Sequence, residues 1–120
     1  MHELSLADAV VTIVREHADG RRVTAVDLRV GRLRQVVPDA LQFAFELLAN
    51  GTNVDGAALN IEHVPIRVRC GVCGAESEQR EFPLACASCG AVTVDVVSGD
   101  ELHVDSIELE DEPVLSVGGR

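Results

Sequence analysis

Two cysteine pairs, Cys70-Gly71-Val72-Cys73 and Cys86-Ala87-Ser88-Cys89, stand twelve residues apart. Each pair spaces two thiols so that one tight turn can aim both at a single ion. The segment between the pairs is just long enough to bring them together as a tetrahedral four-sulfur site. Gly74 and Gly90 each follow the second cysteine of a pair, where such a turn needs an unhindered backbone. Four sulfur ligands leave no open position for water or substrate, so the pattern points to a structural zinc rather than a catalytic one. Ligand count alone also fits an iron–sulfur cluster. A redox dithiol is disfavoured, because neither pair sits in a βαβ setting. Arg67 and Arg69 precede Cys70; they either offset the negative charge of a zinc with four thiolates or stand solvated.

The N-terminus is a second candidate. The α-amine of Met1, the backbone nitrogen of His2 and the His2 imidazole can close fused chelate rings around one ion. Glu3 can add a carboxylate or its own backbone nitrogen. Nitrogen-rich planar or octahedral sites suit Ni(II) and Cu(II). On the residues alone an ordinary exposed terminal histidine is the better reading of His2. Elsewhere the structural readings lead. His17 falls near a helix end, where its charge meets the dipole. His63 shares a strand face with Leu59 and Ile61, which suits a half-buried, hydrogen-bonded ring, and His103 reads as exposed. Asp39 and Glu46 lie on a helix and are weaker candidates for an oxygen ligand. No nucleophile–base arrangement and no phosphate loop is evident, so an enzyme is not expected.

The elements that must position these groups follow from periodicity. Leu4, Ala7, Val11, Val14 and Ala18 recur at helical spacing up to Gly20. Val26, Leu28 and Val30 alternate as a strand. Pro38 suits a first helical position, followed by the stripe Leu41, Phe45 and Leu48, with Asn50-Gly51 as the stop. Leu59 and Ile61 mark a second strand. Pro65 interrupts it, and Ile66 and Val68 resume in the opposite phase, as at a bulge or sheet edge. Residues 70–90 show little periodicity. Val92, Val94 and Val96 then read as a short strand, and Leu102, Val104, Ile107 and Leu109 as the last. These elements make an α+β fold: two helices on a small three-stranded sheet, with a zinc-ribbon-like module inserted between the last two main strands. Residues 1–68 and 99–113 would form the discontinuous main domain, 69–98 the zinc module and 114–120 a flexible tail.

Composition narrows the function. The 120 residues carry a net charge of −10, and residues 70–120 hold two Arg against eleven Asp and Glu. That half repels phosphate backbones, and aromatic residues make up only 2% of the chain, so a nucleic-acid partner is not expected. No stretch reaches membrane-spanning length. The start Met1-His2-Glu3 shows no basic region ahead of a long apolar run, which leads to the expectation of a cytoplasmic protein. In that reducing setting four cysteines read as metal ligands.

Several segments together resemble one family. Met1-His2-Glu3-Leu4-Ser5-Leu6 opening a helix looks like the start of the HypA/HybF nickel-insertion proteins of [NiFe]-hydrogenase maturation. Val30-Gly31 with Pro38-Asp39-Ala40-Leu41-Gln42-Phe43-Ala44-Phe45-Glu46 resembles the first strand and second helix of that family. Val64-Pro65 and the paired CxxC module are similar too. So are Gly99-Asp100-Glu101-Leu102 and Ser106-Ile107-Glu108-Leu109-Glu110. The resemblance implies a metallochaperone with nickel as cargo on Met1, His2 and Glu3, and zinc on Cys70, Cys73, Cys86 and Cys89. It implies the nickel-handling GTPase HypB and the hydrogenase large-subunit precursor as partners, with urease served by some members. A homodimer is compatible with the sequence. Arg32 departs from the pattern, since members often carry an acidic residue after that glycine. The competing expectation is a zinc-ribbon interaction module with no nickel role.

Overall fold

A computed structural model describes residues 2–111 and 115–117; Met1, Glu112–Val114 and Gly118–Arg120 lie outside that description. The elements run α1 (His2–Ala18), β1 (Val23–Gly31), a 3-10 turn (Arg32–Arg34), α2 (Pro38–Ala49), β2 (Ala58–Val64), β3 (Ile66–Cys70), β4 (Glu76–Gln79), β5 (Val94–Ser98), β6 (Leu102–Leu109) and β7 (Leu115–Ser116). The chain divides into two compact units: Met1–Arg29 with Val36–Glu62 and Leu102–Arg120, and Val30–Gln35 with His63–Glu101.

In the first unit α1 forms because Leu6, Ala7, Val10, Val11, Val14 and Ala18 make one buried stripe. The helix stops where Asp19 and Gly20 take φ of 50° and 83°, a left-handed exit that glycine adopts without strain. In α2 Val37 is the N-cap and Pro38 follows it at the helix start, where a missing N–H costs nothing. Its inner face buries Leu41, Ala44, Phe45 and Ala49. Helix α1 packs on α2 and on β6. The sheet beneath has the order β2-β1-β6-β7, so the two expected helices and three main strands are present. Asn53 fastens the turn between α1 and β1: its side-chain Nδ2 donates to the Arg21 carbonyl at 2.8 Å and its backbone carbonyl accepts from the Val23 amide at 2.9 Å. Leu115 and Ser116, expected in the tail, pair with Ile107 and Ser106 at the sheet edge.

The second unit has its own sheet, of order β4-β3-β5. This corrects one sequence-based expectation. The segment after Pro65 does not continue the first sheet as a bulged or edge stretch; it is the central strand of the second. The phase change has that physical cause: Pro65 cannot donate to a ladder, and Val64, Ile66, Val68 and Cys70 all turn inward beyond Ile61. Strand β4, Glu-Ser-Glu-Gln, has no apolar pattern to announce it and exists because Ile66–Arg69 supply its partners. Strand β5 starts at Val94, two residues later than the valine spacing suggests, with Val92 left 73% exposed.

Gly31 and Gly99 meet where the chain crosses itself. The Gly31 and Leu33 amides donate to Glu101 and Gly99 carbonyls, each at 2.8 Å. Gly31 has an ordinary extended conformation, φ −71° and ψ 145°, so the demand is for space: a Cβ there would lie 2.0 Å from the Gly99 oxygen. Gly31→Ala should therefore cost on the order of 3 kcal/mol, as an overpacked site with immovable backbone opposite. Gly51→Asn, with open space and a left-handed backbone that Asn tolerates, should cost under about 1 kcal/mol. Urea unfolding midpoints of the two variants decide; equal losses would show that the crossing yields.

Candidate metal centres

Each cysteine pair folds into the same small loop. In the first, the Cys70 amide donates to Ala75 O at 2.9 Å and Gly74 to Cys70 O at 3.1 Å. In the second, Cys86 donates to Ala91 O at 2.8 Å and Gly90 to Cys86 O at 2.9 Å. Gly74 and Gly90 both sit at φ 78°, the left-handed turn for which the sequence uses glycine. The loops aim backbone N–H groups at sulfur. Val72 and Cys73 donate to Cys70 Sγ at 3.3 and 3.4 Å, and Ser88 and Cys89 to Cys86 Sγ at 3.3 and 3.4 Å. Cys70 and Cys86 are buried while Cys73 and Cys89 are exposed.

The four sulfurs converge. Cys70 and Cys89 Sγ are 3.7 Å apart, Cys73 and Cys86 Sγ 3.6 Å, and all four lie within 4.8 Å of one another. Four sulfurs at the usual zinc–sulfur distance on a tetrahedron would be about 3.8 Å apart. The cradle therefore fits one ion, and it has no room for the several irons and bridging sulfides of a cluster. Among the described residues this is the one group of three or more His, Cys, Asp or Glu gathered closely enough to hold a metal.

Electrostatics within the four are uneven. N–H groups of Cys73 and Val72 hold the Cys70 thiol below its ordinary value. Those of Cys89 and Ser88 bring Cys86 down to about 6. On Cys89 the Ala91 N–H pulls downward, but Cys70, burial and Cys86 outweigh it and push the thiol up to about 11. Cys73 is likewise raised: the Ala75 N–H opposes, and the sulfurs of Cys86 and Cys70 prevail. In each loop the first thiol is held below its ordinary value and the second above it. Arg69 is engaged elsewhere, with its guanidinium 2.6 Å from Glu76 and Arg67 at 4.0 Å from the same carboxylate.

At the other candidate site, His2 is the first residue of α1 and is exposed. Met1 lies outside the described residues. Glu3 has a partner that the sequence did not reveal: its Oε2 accepts the Val37 amide at 3.1 Å. That hydrogen bond holds the Glu3 carboxyl below its ordinary value, against a smaller effect of burial. A backbone donor carries no sequence signal, which is why this contact escaped the reading of the residues. Asp39 lies in the first turn of α2 and Glu46 further along it, both exposed. His17 Nδ1 is 2.9 Å from Ile13 O, a bond within its own helix. His63 and His103 are half-buried on β2 and β6.

Comparison with known proteins follows the same residues. A family model described as hydrogenase/urease nickel incorporation, metallochaperone, HypA matches residues 1–109. A hydrogenase maturation factor HypA of Geotalea uraniireducens is 47% identical over 110 residues, covering 92% of this chain and 100% of that one. Its counterpart in a Nostoc species is 40% identical over 111 residues, covering 92% and 97%. The solution structure of the Ni metallochaperone HypA from Helicobacter pylori shares the fold, with a TM-score of 0.66, 22% identity, and coverage of 91% of this chain and 97% of that one.

Two outcomes follow from the geometry. With Cys73 and Cys89 protonated at neutral pH, an entering ion displaces at least two protons. Affinity for a divalent metal at the four sulfurs should then rise about 100-fold per pH unit through neutrality and collapse toward acid. Chelator competition at several pH values measures the slope; a flat profile would mean four preformed thiolates. At Glu3, a lowered carboxyl stabilises its contact above the ordinary carboxylate range and loses it as pH falls through the lowered value. Protection of the Val37 amide, its exchange rate set against the intrinsic rate at the same pH, should fall in acid and in Glu3→Ala, and less in Glu3→Gln, which keeps an acceptor. An unchanged rate in Glu3→Ala would remove the contact from the account.

Proposed function

Given that this chain belongs to the HypA family of nickel-incorporation metallochaperones, we propose that it carries Ni(II) at its N-terminus and passes it on during [NiFe]-hydrogenase maturation. The ligands would be the Met1 amine, the backbone nitrogen and imidazole of His2, and a donor from Glu3. The observation that carries this reading is the position of His2 as the exposed first residue of α1. The first N–H groups of a helix have no intrahelical acceptor, so a metal can take the His2 and Glu3 amide nitrogens without breaking a helical bond. A bare dication opposes the positive end of the helix dipole. Loss of the amide protons and the nearby Glu3 carboxylate offset that repulsion.

Release follows from the same small ligand set. Two or three terminal residues exchange one at a time with a recipient's donors, and no folded core has to open. The four cysteines would hold a structural zinc: the sulfur spacing suits that ion, and a closed tetrahedral site offers no position for chemistry. In this reading nickel is handled by the unit that contains His2 and Glu3, and zinc by the unit that contains the four cysteines. The nickel-handling GTPase HypB and the hydrogenase large-subunit precursor are the partners, in the cytoplasm. No enzymatic step is required.

A Ni(II) titration tests it, using the chain beginning at Met1, a His2→Ala variant and a form extended by one residue ahead of Met1. The native chain should bind one nickel, the other two should lose affinity by about 100-fold or more, and all three should keep their zinc. Equal binding by all three would leave the zinc-ribbon interaction module as the reading that stands.

A further inference from the structure

The outer ridge of α2 carries apolar side chains that the core does not use. Phe43 is 67% exposed, Leu47 58% and Val37, at the N-cap, 56%. Phe43 and Leu47, with Ala40, Ala44 and Leu4 of α1, line a groove of about 230 Å³ beside Glu3. Isolated exposed hydrophobic residues are ordinary; contiguous ones mark a contact surface. Positions 40, 43, 44 and 47 form one helical face two turns long, and such a face offers pockets at the spacing of anchors on an opposing helix.

Charge selects the occupant. Asp39 and Glu46 stand one turn to either side of Phe43 on α2, and Asp8 one turn beyond Leu4 on α1. Residues 1–14 and 36–50 contain no Lys or Arg at all. A second copy of this chain, with its net charge of −10, would set one acidic rim against another. We propose that the groove docks an amphipathic helix of a partner protein, one with apolar anchors at i, i+3 or i+4, and i+7, flanked by Lys or Arg. The anchors would desolvate Phe43 and Leu47, and the flanking cations would meet Asp8, Asp39 and Glu46. The interaction goes beyond cargo binding and does not rest on nickel.

The test uses the full chain and two short synthetic helical peptides that share a leucine face with that spacing. One carries Lys and Arg at the flanking positions, the other Glu. Titration followed by NMR should show the cationic peptide shifting Phe43 and Leu47 resonances. Phe43→Ser and Leu47→Ser should each weaken it by about tenfold or more, and the acidic peptide should bind at least about tenfold more weakly. Binding of the cationic peptide that both variants leave intact would overturn the proposal, as would equal binding of the two peptides or none by either. A dimer of the free chain that Phe43→Ser dissolves would assign the face to a second copy instead, and overturn it too. His2→Ala should keep peptide affinity while abolishing nickel uptake, so a failure of the nickel reading and a failure of this one are seen separately.

Discussion

Four sulfur atoms within 4.8 Å of one another are the constraint on which the second unit depends. Four negative charges that close repel strongly. The loops stabilise only two of them, through paired N–H groups on Cys70 and Cys86, and leave the protons on Cys73 and Cys89. A cation at the centre removes the repulsion and links the two loops at once. Little else could take its place. Among the described residues the buried apolar side chains of this unit outside β1 are Val64, Ile66 and Val68, joined by Cys70 and Cys86 themselves. A core of that size does not hold a unit together alone, and metal binding then becomes folding energy.

The first unit rests on ordinary burial, and that difference explains what the residues disclosed. The stripes of α1 and α2, and Val26 and Leu28 in β1, were legible because each element buries one face. The cysteine spacing was legible because metal geometry allows few alternatives. Strand β4 was not, because pairing with β3 rather than a buried face creates it. Nor was the departure of β3 to a second sheet. Pro65 and the change of phase marked the break, but a break looks the same whether the chain bulges or leaves. The Glu3–Val37 contact was invisible for a different reason: its donor is backbone.

That contact gives Glu3 a structural role of its own. The start of α1 would otherwise fray, and a frayed terminus presents its donors in many geometries. A carboxylate on the amide of the α2 N-cap residue pins the first turn while His2 remains exposed. The pinning is itself mild, a single hydrogen bond at the surface. In the reading proposed above, holding the first turn lowers the entropic cost of closing a chelate at His2.

On the reading proposed above the chain carries one metal permanently and another in transit, and it must keep the two from exchanging sites. Raw affinity cannot do this, because imidazole and thiolate donors each accept several first-row ions. Geometry and donor softness can. The cysteine cradle is all sulfur and close-set, at a spacing that a tetrahedral ion fits, with each loop fixed by its own backbone hydrogen bonds. It suits zinc and forces nickel out of the planar or octahedral arrangements that nitrogen donors offer. The N-terminal set, in the reading proposed above, reverses every one of these properties: nitrogen-rich, incomplete and borne by two or three residues at a chain end. In that reading incompleteness would make it a carrier, since an open position on the ion is where the next ligand enters.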